Sequence, residues 1–178
     1  MLNFRANLIR DNLGDVIFDS ERILNRTFAR HSDDIQTVEL QNALKPKFGL
    51  RLAVIEDNLS DFRILSHQMT QSDLLDAELD HFDSVDAFLK MGRHDSYDVI
   101  VLDRFIQSAG LTEGRIRDIK YHNPKAGIVM YTGSSTPSLR GSAVHEGAML
   151  VVEKGTLSVA DLELLFLTAA RFGAKVSN

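Results

Sequence analysis

The sequence predicts one α/β domain, a three-layer sandwich around a parallel sheet, preceded by a short extension read as helical. Short apolar runs alternate with segments of helical spacing five times over residues 50–178. Most of those runs end at a polar or charged residue, as strands do when their ends form a site. The chain has 178 residues, 44% hydrophobic and 25% charged, enough for one buried core and too few for two. Strand-helix alternation forces parallel strands, because each crossover helix carries the chain back to the starting edge of the sheet.

The first 49 residues differ from the rest. They hold seven acidic and seven basic residues, so the formal charge of -5 resides downstream. Leu13, Val16, Leu24 and Phe28 fall at near-helical spacing, favouring a helical hairpin, while Gly14 and the stretch Asp15 to Asp19 leave a strand open. Lys45-Pro46-Lys47-Phe48-Gly49 joins a helix-breaking proline to a permissive glycine and marks the boundary. The expected division is an extension, 1–49, with a packing or dimerisation role, and a domain, 50–178.

Within the domain, Leu50 to Ile55 reads as a buried strand ending directly in Glu56-Asp57. Leu59, Phe62, Leu65 and Met69 give the first helix an apolar side. Ala77 to Phe82 is a less buried strand, followed by Val85, Phe88 and Leu89 on a short helix. Tyr97 to Leu102 carries consecutive β-branched residues, belongs at the sheet centre, and ends at Asp103. Ile116 and Ile119 mark the third helix, and Ile128 to Tyr131 forms a strand that stops at Thr132-Gly133. Pro137 suits the first turn of a fourth helix reaching His145, and Gly147 permits the turn into Met149 to Glu153, before Lys154. The last helix, about Ser158 to Arg171, places Val159, Leu162, Leu165, Phe166 and Ala169 on one face. Leu164 and Leu167 lie off it, a surplus that suits contact with the N-terminal segment or a second subunit, and equally scattered surface residues.

Composition removes several function classes. The chain has no cysteine, which excludes disulfides and thiolate chemistry. Net acidity and the lack of a recognition-helix pattern in residues 1–49 argue against a nucleic-acid partner. Charges interrupt the amino terminus too early for a secretory core, and no apolar run approaches the roughly 18 residues of a membrane span. A cytoplasmic location without membrane contact is expected.

In a parallel α/β sheet the loops after successive strands share one edge, so Glu56, Asp57, Asp103, Thr132 and Lys154 are expected to converge. Two acids from the first loop and one from the third supply hard oxygen ligands for Mg2+. Asp103, ending the most buried strand, is best placed as a nucleophile toward a phosphoryl donor. Lys154 brings a compensating positive charge and Thr132 a hydroxyl donor for a phosphate oxygen.

An acidic pair after strand one, an aspartate after strand three, Thr after strand four and Lys after strand five make the chain from about Arg51 to Phe172 resemble the receiver domain of bacterial two-component response regulators. The resemblance implies a flavodoxin-like sandwich with strand order 2-1-3-4-5. It implies Mg2+ held by Asp57, Asp103, Glu56 and Phe105, with Glu56 either a direct ligand or acting through water. It further implies phosphorylation of Asp103, a catalytic set of Asp103, Thr132 and Lys154, and phosphate binding by Thr132, Gly133 and Lys154. Gln107 stands where the family commonly has proline, Gly110 comes one place earlier than the usual glycine, and Gly155 replaces the proline after the lysine. Val151 occupies the place of the family's switch aromatic, leaving Tyr131 either as a substitute switch with Thr132 or as core. The loop Gly133 to Pro137 suits either local adjustment or an ordinary helix cap, and His81 and His145 lack metal spacing.

The function so implied is phosphorylation-dependent signalling. A sensor histidine kinase or histidine phosphotransfer protein donates the phosphoryl group, and the output is a protein contact, including a homodimer through the N-terminal segment or last helix. No enzymatic turnover beyond self-catalysed phosphorylation and dephosphorylation is expected. The alternatives are a degenerate receiver serving as an unphosphorylated scaffold, and an aspartyl-phosphate phosphohydrolase. The latter usually carries a second aspartate two places after its nucleophile, where this chain has Phe105.

Overall fold

The computed structural model describes residues 47–91, 96–108 and 110–175. The expected helical extension lies outside these residues up to Gln41-Asn42-Ala43-Leu44-Lys45-Pro46, and so does its packing or dimerisation role. The domain runs β1 (Phe48–Ile55), α1 (Leu59–Thr70), β2 (Leu75–Phe82), α2 (Val85–Lys90), β3 (Val99–Leu102), a small hairpin of β4 (Phe105–Ile106) and β5 (Gly110–Leu111), and a 3-10 turn (Glu113–Arg115). It continues through α3 (Ile116–His122), β6 (Gly127–Thr132), α4 (Pro137–Glu146), β7 (Leu150–Glu153) and α5 (Val159–Lys175).

Five strands form one sheet in the order β2-β1-β3-β6-β7. With the hairpin set aside, this is the expected 2-1-3-4-5 order. Parallel register pairs Ile55 with Leu102, Leu102 with Met130, and Met130 with Val151. The central position falls to β3, whose four residues Val99-Ile100-Val101-Leu102 are all buried. A strand with no polar side chain is stable only with helices over both faces.

Side-chain alternation sorts the core into two layers. Ala53, Ile55, Ile100, Leu102, Ile128, Met130 and Val151 pack with residues of α2, α3 and α4, among them Phe88, Ile119 and Leu139. The opposite parity, Leu52, Val54, Val99, Val101 and Val129, is buried on the side of α1 and α5, which contribute Leu65, Met69, Leu162, Phe166 and Ala169. Each fully buried aliphatic or aromatic side chain contributes about 1.5–3 kcal/mol of transfer free energy.

One buried group was not expected. Glu163, on the inward side of α5 and only 5% exposed, accepts hydrogen bonds from the Ser72 hydroxyl at 2.5 Å and the Leu74 N–H at 2.9 Å. Ser72 in turn accepts from the Leu75 N–H at 2.8 Å. The carboxylate thus ties α5 to the turn between α1 and β2. Glu163→Ala removes the shared acceptor of the Ser72 hydroxyl and the Leu74 N–H and is expected to cost about 1–3 kcal/mol. Urea denaturation checks this, and a change below about 0.5 kcal/mol would rule the clamp out.

Most bounds differ from the sequence reading by one or two residues, with β1 and β2 starting earlier and β3 and β7 starting later. Tyr97 is buried ahead of β3 rather than in it, stacked edge-on to Phe82 and under the Arg51 guanidinium. Leu59 was expected on the apolar side of α1 but is 45% exposed, because it opens the helix beyond the sheet edge. Leu164 is exposed and Leu167 half-buried, as their positions off the stripe imply.

Candidate functional site

The C-terminal edge of the sheet is extended beyond its strands by backbone hydrogen bonds. Glu56 N–H donates to Phe82 O at 2.9 Å, Asp103 N–H to Ile55 O at 2.9 Å, and Lys154 N–H to Thr132 O at 2.8 Å. Glu56, Asp103 and Lys154 are therefore each the first residue past a strand, and Thr132 the last within one, all still held in the ladder. A cleft of about 490 Å³ opens there, with Glu56, Asp57, Asp103, Thr132, Gly133 and Lys154 in its lining. Phe105 lines it too, although its ring is 56% exposed.

Lys154 is the electrostatic centre. Its ammonium lies 2.6 Å from Glu56 Oε2, 2.8 Å from Asp61 Oδ2 and 3.3 Å from Asp103 Oδ1. Burial alone would depress its pKa, but the bonds to Asp61 and Glu56 and the charge of Asp103 outweigh burial and hold it above the ordinary lysine range. Lys154 stays protonated throughout the physiological range.

Glu56, Asp57 and Asp103 each offer one oxygen, all within 4.8 Å of one another. Such a set suits a hard divalent cation. Asp103 is raised above the ordinary carboxyl range, chiefly by burial, with the Asp57 charge adding to it and Lys154 opposing it. Glu56 is likewise raised, chiefly by burial, against the opposing hydrogen bond from Lys154. Burial and clustering of like charge are what a bound cation relieves.

The pH consequence has a definite sign. With folded-state values above the unfolded ones, the folded protein binds the extra protons between the two, so the stability these groups contribute is full at low pH and falls as pH rises through the folded values. The metal-free protein is expected to lose stability across and just above the carboxyl range, and a divalent cation held by the three acids to restore it. Thermal melts with and without Mg2+ should therefore show a larger increment at pH 7 than at pH 4.5. Equal increments would contradict the assignment.

Three features around the acids lay beyond sequence reasoning. Asp57 Oδ2 accepts the Gln107 backbone N–H at 2.7 Å, a bond that a proline at this position has no hydrogen to make. Thr112 is fully buried and ties the hairpin to the phosphoacceptor candidate, its hydroxyl donating to Asp103 O at 2.6 Å and its N–H to Arg104 O at 2.9 Å. Arg104 lines the cleft while paired with Glu113 at 2.8 Å. A buried threonine gives no sequence signal, because its partner is a main-chain oxygen set by the hairpin. The third loop accordingly has its own shape, with Gly110 at φ +74° closing the turn between β4 and β5.

The turn after Lys154 is made by Gly155 at φ +76°, and no cis peptide bond occurs among the described residues. Proline, restricted to φ near -65°, does not fit this conformation. Gly155→Pro is expected to destabilise the domain by about 1–3 kcal/mol, more than Gly155→Ala at about 1 kcal/mol. Chemical denaturation of the two variants checks the order. A stabilising Gly155→Pro would show the turn to be misassigned.

Thr132 is buried, and among the described residues its hydroxyl receives only a long contact, 3.5 Å, from the Ser134 N–H. Farther along the same loop Thr136 caps α4, accepting from the Leu139 N–H at 3.2 Å, with Pro137 in the first turn as expected. Tyr131 and Val151 are both buried but lie on opposite layers. Val151 belongs to the core beneath α4, whereas Tyr131 shares the parity of Gly127, whose Cα abuts Ala169 of α5. His81 lies at the edge of the site, its Nε2–H donating to the Glu56 carbonyl oxygen at 2.7 Å and its ring stacked on Phe62 with centroids 4.5 Å apart. His145 is exposed on α4.

No protein-family model matches the sequence, and no curated protein matches it. Solved structures do match. A response regulator receiver domain protein from Clostridium thermocellum shares 19% identity over 72% of this chain and 99% of its own, with a TM-score of 0.60. A two-component response regulator from Clostridium difficile shares 15% identity over 68% and 96%, with a TM-score of 0.59. A response regulator from Burkholderia pseudomallei, solved with a phosphorylated aspartic acid, a calcium ion and citrate, shares 19% identity over 72% of each chain, with a TM-score of 0.58. The fold of the described domain is that of response regulator receivers. No helix among the described residues is long and apolar enough to cross a membrane.

Proposed function

We propose that the protein is a phosphorylation-dependent signalling component that accepts a phosphoryl group on Asp103 from a phosphohistidine of a sensor kinase or phosphotransfer protein. The observation that carries this is the Asp103 carboxylate, half enclosed between Lys154 and the two acids after β1 at the open edge of a receiver fold. The Burkholderia structure, with its phosphorylated aspartic acid and calcium ion, supports the same chemistry on a related fold.

In the transfer, an Asp103 oxygen forms the new P–O bond as the P–N bond to the donor imidazole breaks, and the imidazole leaves with the bonding pair. Lys154 and Thr132 meet the charge that shifts to the phosphoryl oxygens, with Gly133 leaving space for them. Mg2+ would be held by Asp57 and Asp103, with Glu56 and the Phe105 main chain beside it, and when bound supplies charge neutralisation between the phosphoryl group and the acids. Glu56 already spends one oxygen on Lys154 and the other on the Asn58 N–H at 3.1 Å, which favours its action through water.

Phosphate then biases Thr132 and the α4, β7 and α5 surface toward one arrangement. Exposed Leu150 and Leu164 on that surface suit a change in protein contact. Val151 has no ring to rotate, and Tyr131 lies on the other layer, so the change passes through the loop after Thr132 rather than through an aromatic. Residues 1–49 are an extension to this domain and a candidate for the contact.

Incubation with acetyl phosphate tests the reading. The expected result is one added phosphoryl group per chain by intact mass, dependent on Mg2+. Absence of labelling from both acetyl phosphate and a competent phosphohistidine donor would favour the scaffold alternative, and sustained turnover of a phosphomonoester would favour the phosphohydrolase.

A further inference from the structure

We infer that Asp61 is a positioning residue of this site: it holds Lys154 in the resting state and is the partner Lys154 releases when a phosphoryl group arrives on Asp103. The inference rests on the phosphoacceptor reading above.

A lysine ammonium has three N–H donors. Among the described residues, Lys154 faces three carboxylates, Glu56 at 2.6 Å, Asp61 at 2.8 Å and Asp103 at 3.3 Å. Its hydrogen bonds go to Glu56 and Asp61, and the Asp103 contact is a longer ion pair. A phosphoryl oxygen on Asp103 therefore competes with those two carboxylates for the ammonium.

Desolvation decides which partner leaves. The Glu56 side chain is only 5% exposed, and breaking its bond to Lys154 would strand a buried anion beside Asp103. The Asp61 side chain is 33% exposed and sits in the first turn of α1, where water and the N-terminal end of the helix both stabilise a carboxylate. Asp61 is released at small cost and Glu56 is kept. Because the ammonium already lies 3.3 Å from Asp103, the exchange needs side-chain rotation only.

Asp61 thus competes with phosphate for Lys154, and removing its charge favours the phosphorylated arrangement. The probe is beryllofluoride with Mg2+, a phosphoryl mimic, titrated against the full chain. Asp61→Asn keeps the shape without the charge and is expected to bind about two- to fivefold more tightly than the wild type, the range an exposed ion pair is worth. Asp61→Glu, which restores the charge, should return toward wild-type affinity. Melting curves of each variant separate lost helix stability from anion affinity.

Unchanged or weaker binding by Asp61→Asn, with the wild type binding normally, would overturn the inference alone. A wild type that binds no beryllofluoride and takes no phosphoryl group would overturn the phosphoacceptor reading, and this inference with it.

Discussion

Asp103→Asn is expected to abolish labelling by acetyl phosphate, a fall of at least about a hundredfold, because a neutral amide lacks the anionic oxygen that attacks phosphorus. The substitution keeps the shape of the side chain, and the main-chain bonds of residue 103 to Ile55 and Thr112 are unaffected. Loss of labelling would then report chemistry rather than unfolding. The melt provides the control. Asp103 is buried, lies near Asp57 and has a raised pKa, so removing its charge relieves the metal-free cluster, and the variant should melt no lower than the wild type near pH 7. Retained labelling would move the phosphoacceptor elsewhere. A collapsed melting temperature would make Asp103 a structural group.

Gly127→Ala is expected to be the most destabilising single-methyl change in the domain. A Cβ on Gly127 would lie 2.5 Å from the carbonyl carbon and 3.0 Å from the Cα of Ala169, and nearer still to its oxygen. All three are main-chain atoms of α5, so no rotamer change relieves the contact. Overpacking of this kind typically costs about 1–3 kcal/mol, and more where the neighbour is fixed. A loss of about 3 kcal/mol or more in denaturant titration is expected. Gly173 makes the reciprocal approach from α5, a Cβ there meeting the Gly127 nitrogen, the Lys125 carbonyl oxygen and, at 2.6 Å, the Ala126 carbonyl carbon, so the two glycines form one crossing. Near-neutral Gly127→Ala would show that α5 packs farther from the sheet.

The crossing also shows what a sequence conceals. Gly127 follows Asn123-Pro124-Lys125-Ala126 and reads as part of a turn, yet it is the first residue of β6 and buried. Its partner is more than forty residues downstream, and no local pattern links them. Glu163 was concealed in the same way, since a glutamate on a mostly apolar helix ordinarily faces water, and only the turn at Ser72 explains its burial. By contrast, Val99 to Leu102 was legible because four consecutive apolar residues suit only a strand covered on both faces.

The site divides along the same line. Glu56, Asp57, Asp103, Thr132 and Lys154 were legible because the ends of parallel strands share an edge whatever the side chains do. Asp61 was not, although it stands only four residues beyond Asp57. An acid in the first turn of a helix is common for reasons of the helix dipole alone, and its link to Lys154 appears only when the lysine after β7 reaches the start of α1. The third loop was legible only as a departure. Gln107 in place of proline acquires meaning from the N–H it donates to Asp57.

By itself, the order of residues determined the layered architecture, the central strand and the edge at which the chemistry gathers, because periodicity and connectivity are local properties of a chain. The fold alone decided which charges face one another, which carboxylate keeps Lys154 and which can let it go. Those outcomes depend on distance and water access between groups remote in sequence, and both are set only when the layers pack.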